Sequence, residues 1–230
     1  MCPDVITHVE TRDPVAALTF DDGPHPVYTP RVLSILEKHG ASATFFMVGM
    51  SARRYPKIMR SVAKAGHVIG NHSWDHPNLT QIRSRLSRLK QMRACAKAAA
   101  PHCKRLFRPP FGMENTQIRI DALLFRYKVI LWNVSAQDWM PQGSEEIAHK
   151  MITRVTPGSI FLLHDAICGG GPDTKLEREP MLDGLEMALA VLKRKIHFIT
   201  IPELLRAGRP VSNWPRSDDQ SHNTVSKKEK

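Results

Sequence analysis

Two carboxylates stand side by side, Asp21 and Asp22, between the apolar run VAALTF and a Gly23-Pro24 turn. Adjacent side chains at a strand end point to opposite faces, so the two cannot do the same work. One is suited to hold a metal ion and the other to act as a base on water beside it. D-D-G-P is also good turn chemistry, and a turn made by Gly23 and Pro24 does not compete with a role for the carboxylates. His72 and His76 stand four residues apart. On one helical turn that spacing puts both imidazoles on the same side. With a carboxylate they make three protein ligands and leave a position open for water or substrate, the layout of a catalytic zinc site. Alone, such a pair arises by chance or as a cap; beside an Asp-Asp pair it points to a metal. His164 ends the apolar run SIFLLH and is the candidate acid for a leaving group; a core histidine with a satisfied ring is the alternative. A divalent metal so held would acidify its water and polarise a carbonyl, a carboxylate would take the proton, and a histidine opposite would protonate a leaving amine.

The elements that must position these residues alternate along the chain. The patterns predict strands at 15–20, 43–48, 67–70, 105–107, 129–134, 159–163 and 196–200. Helices are expected at 30–39 with Thr29 as N-cap, 56–65, 80–100 with Ile82, Leu86 and Leu89 on one face, 114–125, 144–154 capped by Ser144, 181–194 and 202–206. Strict alternation implies a parallel sheet with helices outside; about seven units suggest a barrel, and an open doubly wound sheet is the alternative. The chemical residues then fall into place. Asp21 and Asp22 end the first strand, His72 and His76 follow the third, Arg108 ends the fourth, Asp138 follows the fifth, and His164 and Asp165 end the sixth. In a β/α barrel those strand ends share one face, where active sites are built.

One domain is expected over residues 15–210, after an N-terminal extension at 1–14. The polar residues 211–230 carry too few apolar side chains to fold, which predicts a disordered tail. No run approaches the roughly 18 apolar residues of a membrane span. The N-terminus, MCPDVITHVETRDP, has neither the basic start nor the apolar run of a secretory signal, so a cytoplasmic protein is expected, or one whose leader has been removed. The four cysteines, Cys2, Cys95, Cys103 and Cys168, form no C-x-x-C pair and read as reduced thiols, with a Cys95–Cys103 bridge the alternative. The net charge is +11, and no acid occurs between His76 and Met113, where Arg83, Arg85, Arg88, Lys90, Arg93, Lys97, Lys104, Arg105 and Arg108 cluster. This is read as a solvated basic helix face, so charge reversal at Arg85 and Arg88 is expected to spare activity on neutral substrates. No nucleic-acid motif accompanies it, and no specific nucleic-acid partner is expected.

Five segments taken in order, TFDDGP at 19–24, HSWDH at 72–76, RPPFG at 108–112, the DW of Asp138 and Trp139, and LLHD at 162–165, resemble the polysaccharide deacetylases of the NodB-homology type, carbohydrate esterase family 4. The resemblance covers about residues 15–206. It implies a distorted (β/α)7 barrel and an enzyme that removes N-acetyl groups from N-acetylglucosamine-containing glycans, chitooligosaccharide or peptidoglycan. It implies Asp21 as general base, and Asp22, His72 and His76 as ligands of a divalent metal, zinc first and cobalt, nickel or iron next. It further implies His164 as general acid oriented by Asp138, Arg108 paired with Asp21, the Phe111 N–H as oxyanion donor, and Trp139 and Leu163 as groove lining. Two departures stand out: Phe111 where many relatives have Tyr, and Ser135 where many have Asp. The rivals are a metal-independent cyclic-amide hydrolase of the same fold and a basic module binding nucleic acid or an anionic glycan.

Overall fold

The computed structural model describes residues 5–168 and 177–212; the expected tail lies outside them from residue 213 on. The chain begins with two short strands, β1 (Val5–Ile6) and β2 (His8–Glu10), and then β3 (Val15–Asp21). Helix α1 (Tyr28–Lys38), β4 (Ala43–Met47), α2 (Gly49–Arg54), α3 (Pro56–Lys64) and β5 (Val68–Asn71) follow. Next come α4 (Arg85–Ala98), β6 (Cys103–Phe107), α5 (Thr116–Leu124), β7 (Lys128–Ile130) and β8 (Val134–Ser135). The chain continues with α6 (Ser144–Arg154), β9 (Ile160–His164), α7 (Glu179–Leu192), β10 (His197–Phe198), α8 (Ile201–Leu204) and β11 (Arg209–Val211).

The main sheet is parallel, in the order β1-β7-β6-β5-β4-β3-β9-β8, with β10 added beside β3. That order forces the sheet to curl. Laid flat, β7 and β8 would sit six strands apart, about 29 Å. Only Leu131, Trp132 and Asn133 connect them, a reach of about 14 Å. Leu131 N donates to Ile6 O and Asn133 N to Ile160 O, so this link steps from one edge of the sheet to the other. The result is the distorted α/β barrel that the alternation predicts. Ala17, Phe46, Leu106, Ile130 and Ile160 fill its interior, and Ile201 and Leu204 of α8 plug one end. Residues of opposite parity, such as Leu18, Phe20, Phe45, Phe161 and Leu163, meet the helices outside.

Several local expectations are corrected. Within the expected N-terminal extension, Val5 and Ile6 pair with Val129 and Ile130, and β2 pairs with β11, so these strands belong to the sheets. The strand expected at 129–134 splits into β7 and β8, because its middle is the link between the two edges. The helix expected at 80–100 starts five residues late, at Arg85, where the Ser84 hydroxyl accepts from Ser87 N. Its buried face is Arg88, Met92 and Cys95, while Leu86 is exposed. Arg88 is therefore no surface charge. It donates to Asp121 Oδ2 at 2.6 Å and to the Ile82 and Arg83 carbonyls, so its reversal would not be neutral. Thr29 and Ser144 lie inside their helices rather than capping them. Cys95, Cys103 and Cys168 are free thiols; Cys2 lies outside the described residues.

Candidate active site

Strand parity builds the site. Residues 17, 19 and 21 of β3 face the barrel interior, as do 160, 162 and 164 of β9, and the register sets Asp21 directly opposite His164. The next residue, Asp22, takes a left-handed backbone (φ 75°), and both carboxylates approach His72 Nε2, Asp21 Oδ2 at 3.7 Å and Asp22 Oδ1 at 3.4 Å. Ser73, His76, Phe111 and Gln137 are left-handed too; of the described non-glycine residues with positive φ, only Arg126 lies away from the site motifs. Such residues cost of order 1 kcal/mol or more each and gather where geometry matters more than stability.

His72 and His76 do not share a helical turn, as the spacing suggested. They lie on the loop after β5. The left-handed Ser73 and His76 fold that loop until the rings stand 4.9 Å apart. His72 Nδ1 lies 2.7 Å from the Arg108 carbonyl. A carbonyl only accepts, so Nδ1 carries the proton and Nε2 presents its lone pair. His72 Nε2 and His76 Nε2 lie 3.4 and 3.2 Å from Asp22 Oδ1, a buried oxygen with no hydrogen-bond donor among the described residues. One ligand atom from each residue falls within 4.8 Å of the others. Acceptors turned on one another repel unless a cation lies between them, and two imidazoles with one carboxylate suit a divalent metal. Burial alone would raise the Asp22 carboxyl; the surrounding imidazoles, His72 first through its side-chain contact, outweigh it and hold Asp22 at about 2. Burial, and then His72, pulls His76 down to about 4, so its ring is neutral and free to ligate near pH 7.

Asp21 is clamped from the other side. Arg108 donates to Asp21 Oδ1 at 2.8 Å and to Thr19 Oγ1 at 2.6 Å. Its remaining nitrogens reach the Ile130 and Leu131 carbonyls, and the guanidinium stacks on Phe46. A fully buried arginine so saturated has one orientation, and it fixes that of Asp21.

The opposite wall carries His164. Asp138 accepts from His164 Nδ1 at 3.0 Å and from its backbone N–H at 2.9 Å. Burial pulls the imidazole down, but the charge of Asp138 and its hydrogen bond outweigh that, and His164 rises to about 9. At neutral pH it is a loaded proton donor. Arg178, buried just ahead of α7, donates to Asp138 Oδ2 at 3.1 Å. Nothing in the sequence marked Arg178, which stands in a charged stretch 40 residues from Asp138. Asp165 lies beneath the D-D-G turn, bonded to the Thr29 hydroxyl and pushed by burial up to about 7.

The Phe111 ring is exposed and packs edge-on to His76 at 4.4 Å. Trp139 packs edge-on to His164 at 5.3 Å. Leu163, expected in the groove, is instead fully buried against the outer helices. Parity gives the interior position beside His164 to Leu162.

The sequence profile of the polysaccharide deacetylase family matches residues 8–130. A chitooligosaccharide deacetylase of Azorhizobium caulinodans is 38% identical over 185 residues, 76% of this chain and 83% of its own. A peptidoglycan-N-acetylglucosamine deacetylase of Bacillus cereus is 36% identical over 208 residues, 88% and 93% of the two chains. Among solved structures, a peptidoglycan N-acetylglucosamine deacetylase in complex with 4-naphthalen-1-yl-N-oxidanyl-benzamide superposes with a TM-score of 0.78 at 27% identity, covering 89% of this chain and 94% of that one. This chain belongs to the polysaccharide deacetylase family, the NodB-homology enzymes of carbohydrate esterase family 4.

Proposed function

We propose that this protein is a metal-dependent N-deacetylase acting on N-acetylglucosamine units of a chitooligosaccharide- or peptidoglycan-type glycan. The observation that carries the reading is the pairing of Asp21 with His164 across β3 and β9, beside the Asp22, His72 and His76 cluster. Those three residues hold the ion, for which we propose zinc, with cobalt, nickel or iron as substitutes; when bound it supplies an acidified water and a polarised acetamide carbonyl. Asp21, oriented by Arg108, takes the proton of the attacking water. The Phe111 N–H donates to the developing oxyanion. His164 passes a proton to the departing amine, with Asp138 holding its Nδ1–H and so presenting Nε2 to the substrate. Trp139 and Leu162 flank the sugar ring. Ser135 accepts from Gln137 N within its own turn, so the departure from Asp there alters the groove wall and not the proton path.

Acetate release from N-acetylated oligosaccharides by metal-loaded protein tests the reading, with Asp21→Asn as control. Acetate well above the control is expected. No difference from the control across chitooligosaccharide and peptidoglycan fragments would overturn it, and full activity after chelation would favour a metal-independent amide hydrolase.

A further inference from the structure

The proposed catalytic face lies at the C-terminal ends of the strands. The opposite end of the barrel holds a separate open cavity of about 540 Å³, walled by the starts of β5, β6 and β7 and by the segment around α8. Leu106 and Ile130 point into the barrel. Lys104 and Lys128 both line the cavity. The register sets Leu106 opposite Lys128, which leaves Lys104 on the diagonal from Lys128. Like charges so close on one face repel. Arg206 adds a third cation from the α8 side, and Arg105 a fourth at the rim, where it donates to the Phe125 carbonyl.

Elsewhere on the surface, cations such as Arg31, Lys38, Lys150 and Arg209 have found carboxylates. Lys104, Lys128, Arg206 and Arg105 have none within 4.0 Å among the described residues. Glu203, the one acid lining the cavity among the described residues, is committed to the cap of α8, where it accepts from Thr200 N and Oγ1, though its charge also reaches Arg206. Behind the cations lies an apolar floor of Val68, Leu106 and Leu205. The volume suits a small organic ligand and exceeds what a bare phosphate would fill.

We infer that this cavity binds a phosphate ester of nucleoside-diphosphate size, its phosphates among Lys104, Lys128 and Arg206 and its organic part on Val68, Leu106 and Leu205. The inference stands apart from the deacetylase reading. It is tested by calorimetric titration of the full, metal-stripped chain with adenosine diphosphate and with pyrophosphate at low salt; stripping removes complexation at the metal site. Saturable one-to-one binding of adenosine diphosphate is expected with Kd below about 1 mM, at least about threefold tighter than pyrophosphate. Lys104→Ala with Lys128→Ala, both exposed, should weaken it at least about tenfold, and Arg83→Ala with Arg93→Ala by less than about twofold. Acetate release by the reloaded lysine variant should stay within about twofold of wild type. Absence of saturable binding overturns the site. Equal weakening by the Arg83/Arg93 pair reduces it to a general basic field, and pyrophosphate binding as tightly as the nucleotide refutes the ester assignment.

Discussion

The sharpest consequence of the site concerns Asp138. It holds His164 at about 9, against 6.5 for the free imidazole. Asp138→Asn keeps an oxygen that can accept from Nδ1–H but removes the negative charge. Burial is then opposed mainly by the charges of Asp22 and Asp21, and the pKa falls back toward 6.5. The difference, 9 less 6.5, is 2.5 units, or roughly 3.4 kcal/mol of selective stabilisation of the imidazolium. A general acid works only while protonated. At pH 8 about 91% of the wild-type rings but only about 3% of the variant's carry the proton, a loss of about thirtyfold. At pH 6 the same comparison gives less than about 1.5-fold. A bound divalent cation lowers both proteins alike and leaves their separation standing. The assay is kcat/KM for acetate release from about pH 5.5 to 10 in metal-saturated protein. The alkaline limb of the variant should fall about 2 units below that of wild type. Parallel profiles, with the variant merely scaled down, would refute this account of how His164 is kept charged.

Further outcomes follow from the packing and the ligand set. Arg88→Ala strands the buried Asp121 with only the half-exposed Arg85, so thermal melts should show roughly 2–4 kcal/mol of lost stability, while reversing exposed Arg83 and Arg93 should change acetate release on neutral oligosaccharides by less than about twofold. Gly23→Ala would set a Cβ 2.3 Å from Asp165 Oδ2; the turn carrying Asp22 must shift, and activity should drop at least about tenfold with a loss of about 1–3 kcal/mol in the melt. Chelation should abolish acetate release and re-addition of a divalent ion restore it, whereas Asp22→Asn should lower bound metal by elemental analysis and activity by at least about a hundredfold.

The sequence brought the candidate ligands, acid and base together because each ends or follows a strand, and strand ends of a barrel converge whatever lies between them. Other features were not legible for physical reasons. A spacing of four is met by a helical turn, but also by a loop with two left-handed residues, and nothing in HSWDH separates the two. Leu162 and Leu163 could not be told apart because a strand buried on both faces shows no polar alternation. The basic stretch looked like a solvated face because its partner, Asp121, stands 33 residues from Arg88, and contacts at that range leave no periodic trace. Arg178 was invisible on the same ground. The role of Val5 and Ile6 was hidden because a two-residue edge strand has no pattern to detect.

The three carboxylates of the site differ in one respect that explains their separate tasks. Asp21 is paired with Arg108, and Asp138 with Arg178. Asp22 has no arginine within 4.0 Å among the described residues; its Oδ1 faces the imidazoles of His72 and His76, and its Oδ2 accepts from Cys168 N. A guanidinium neutralises a carboxylate and fixes its direction. That suits a base which must aim at one proton and an anion which must hold one imidazole. It would spoil a ligand, whose charge has to remain available to a cation. Alternation along an extended strand would send Asp22 to the face opposite Asp21. The left-handed backbone at Asp22 departs from that alternation, and its Oδ1 lies 3.4 Å from the same His72 nitrogen that Asp21 Oδ2 approaches at 3.7 Å. Gly23 lets the chain continue over Asp165 without a Cβ in the way. What separates the two aspartates is therefore the Arg108 guanidinium on Asp21 Oδ1 and not the direction in which they point.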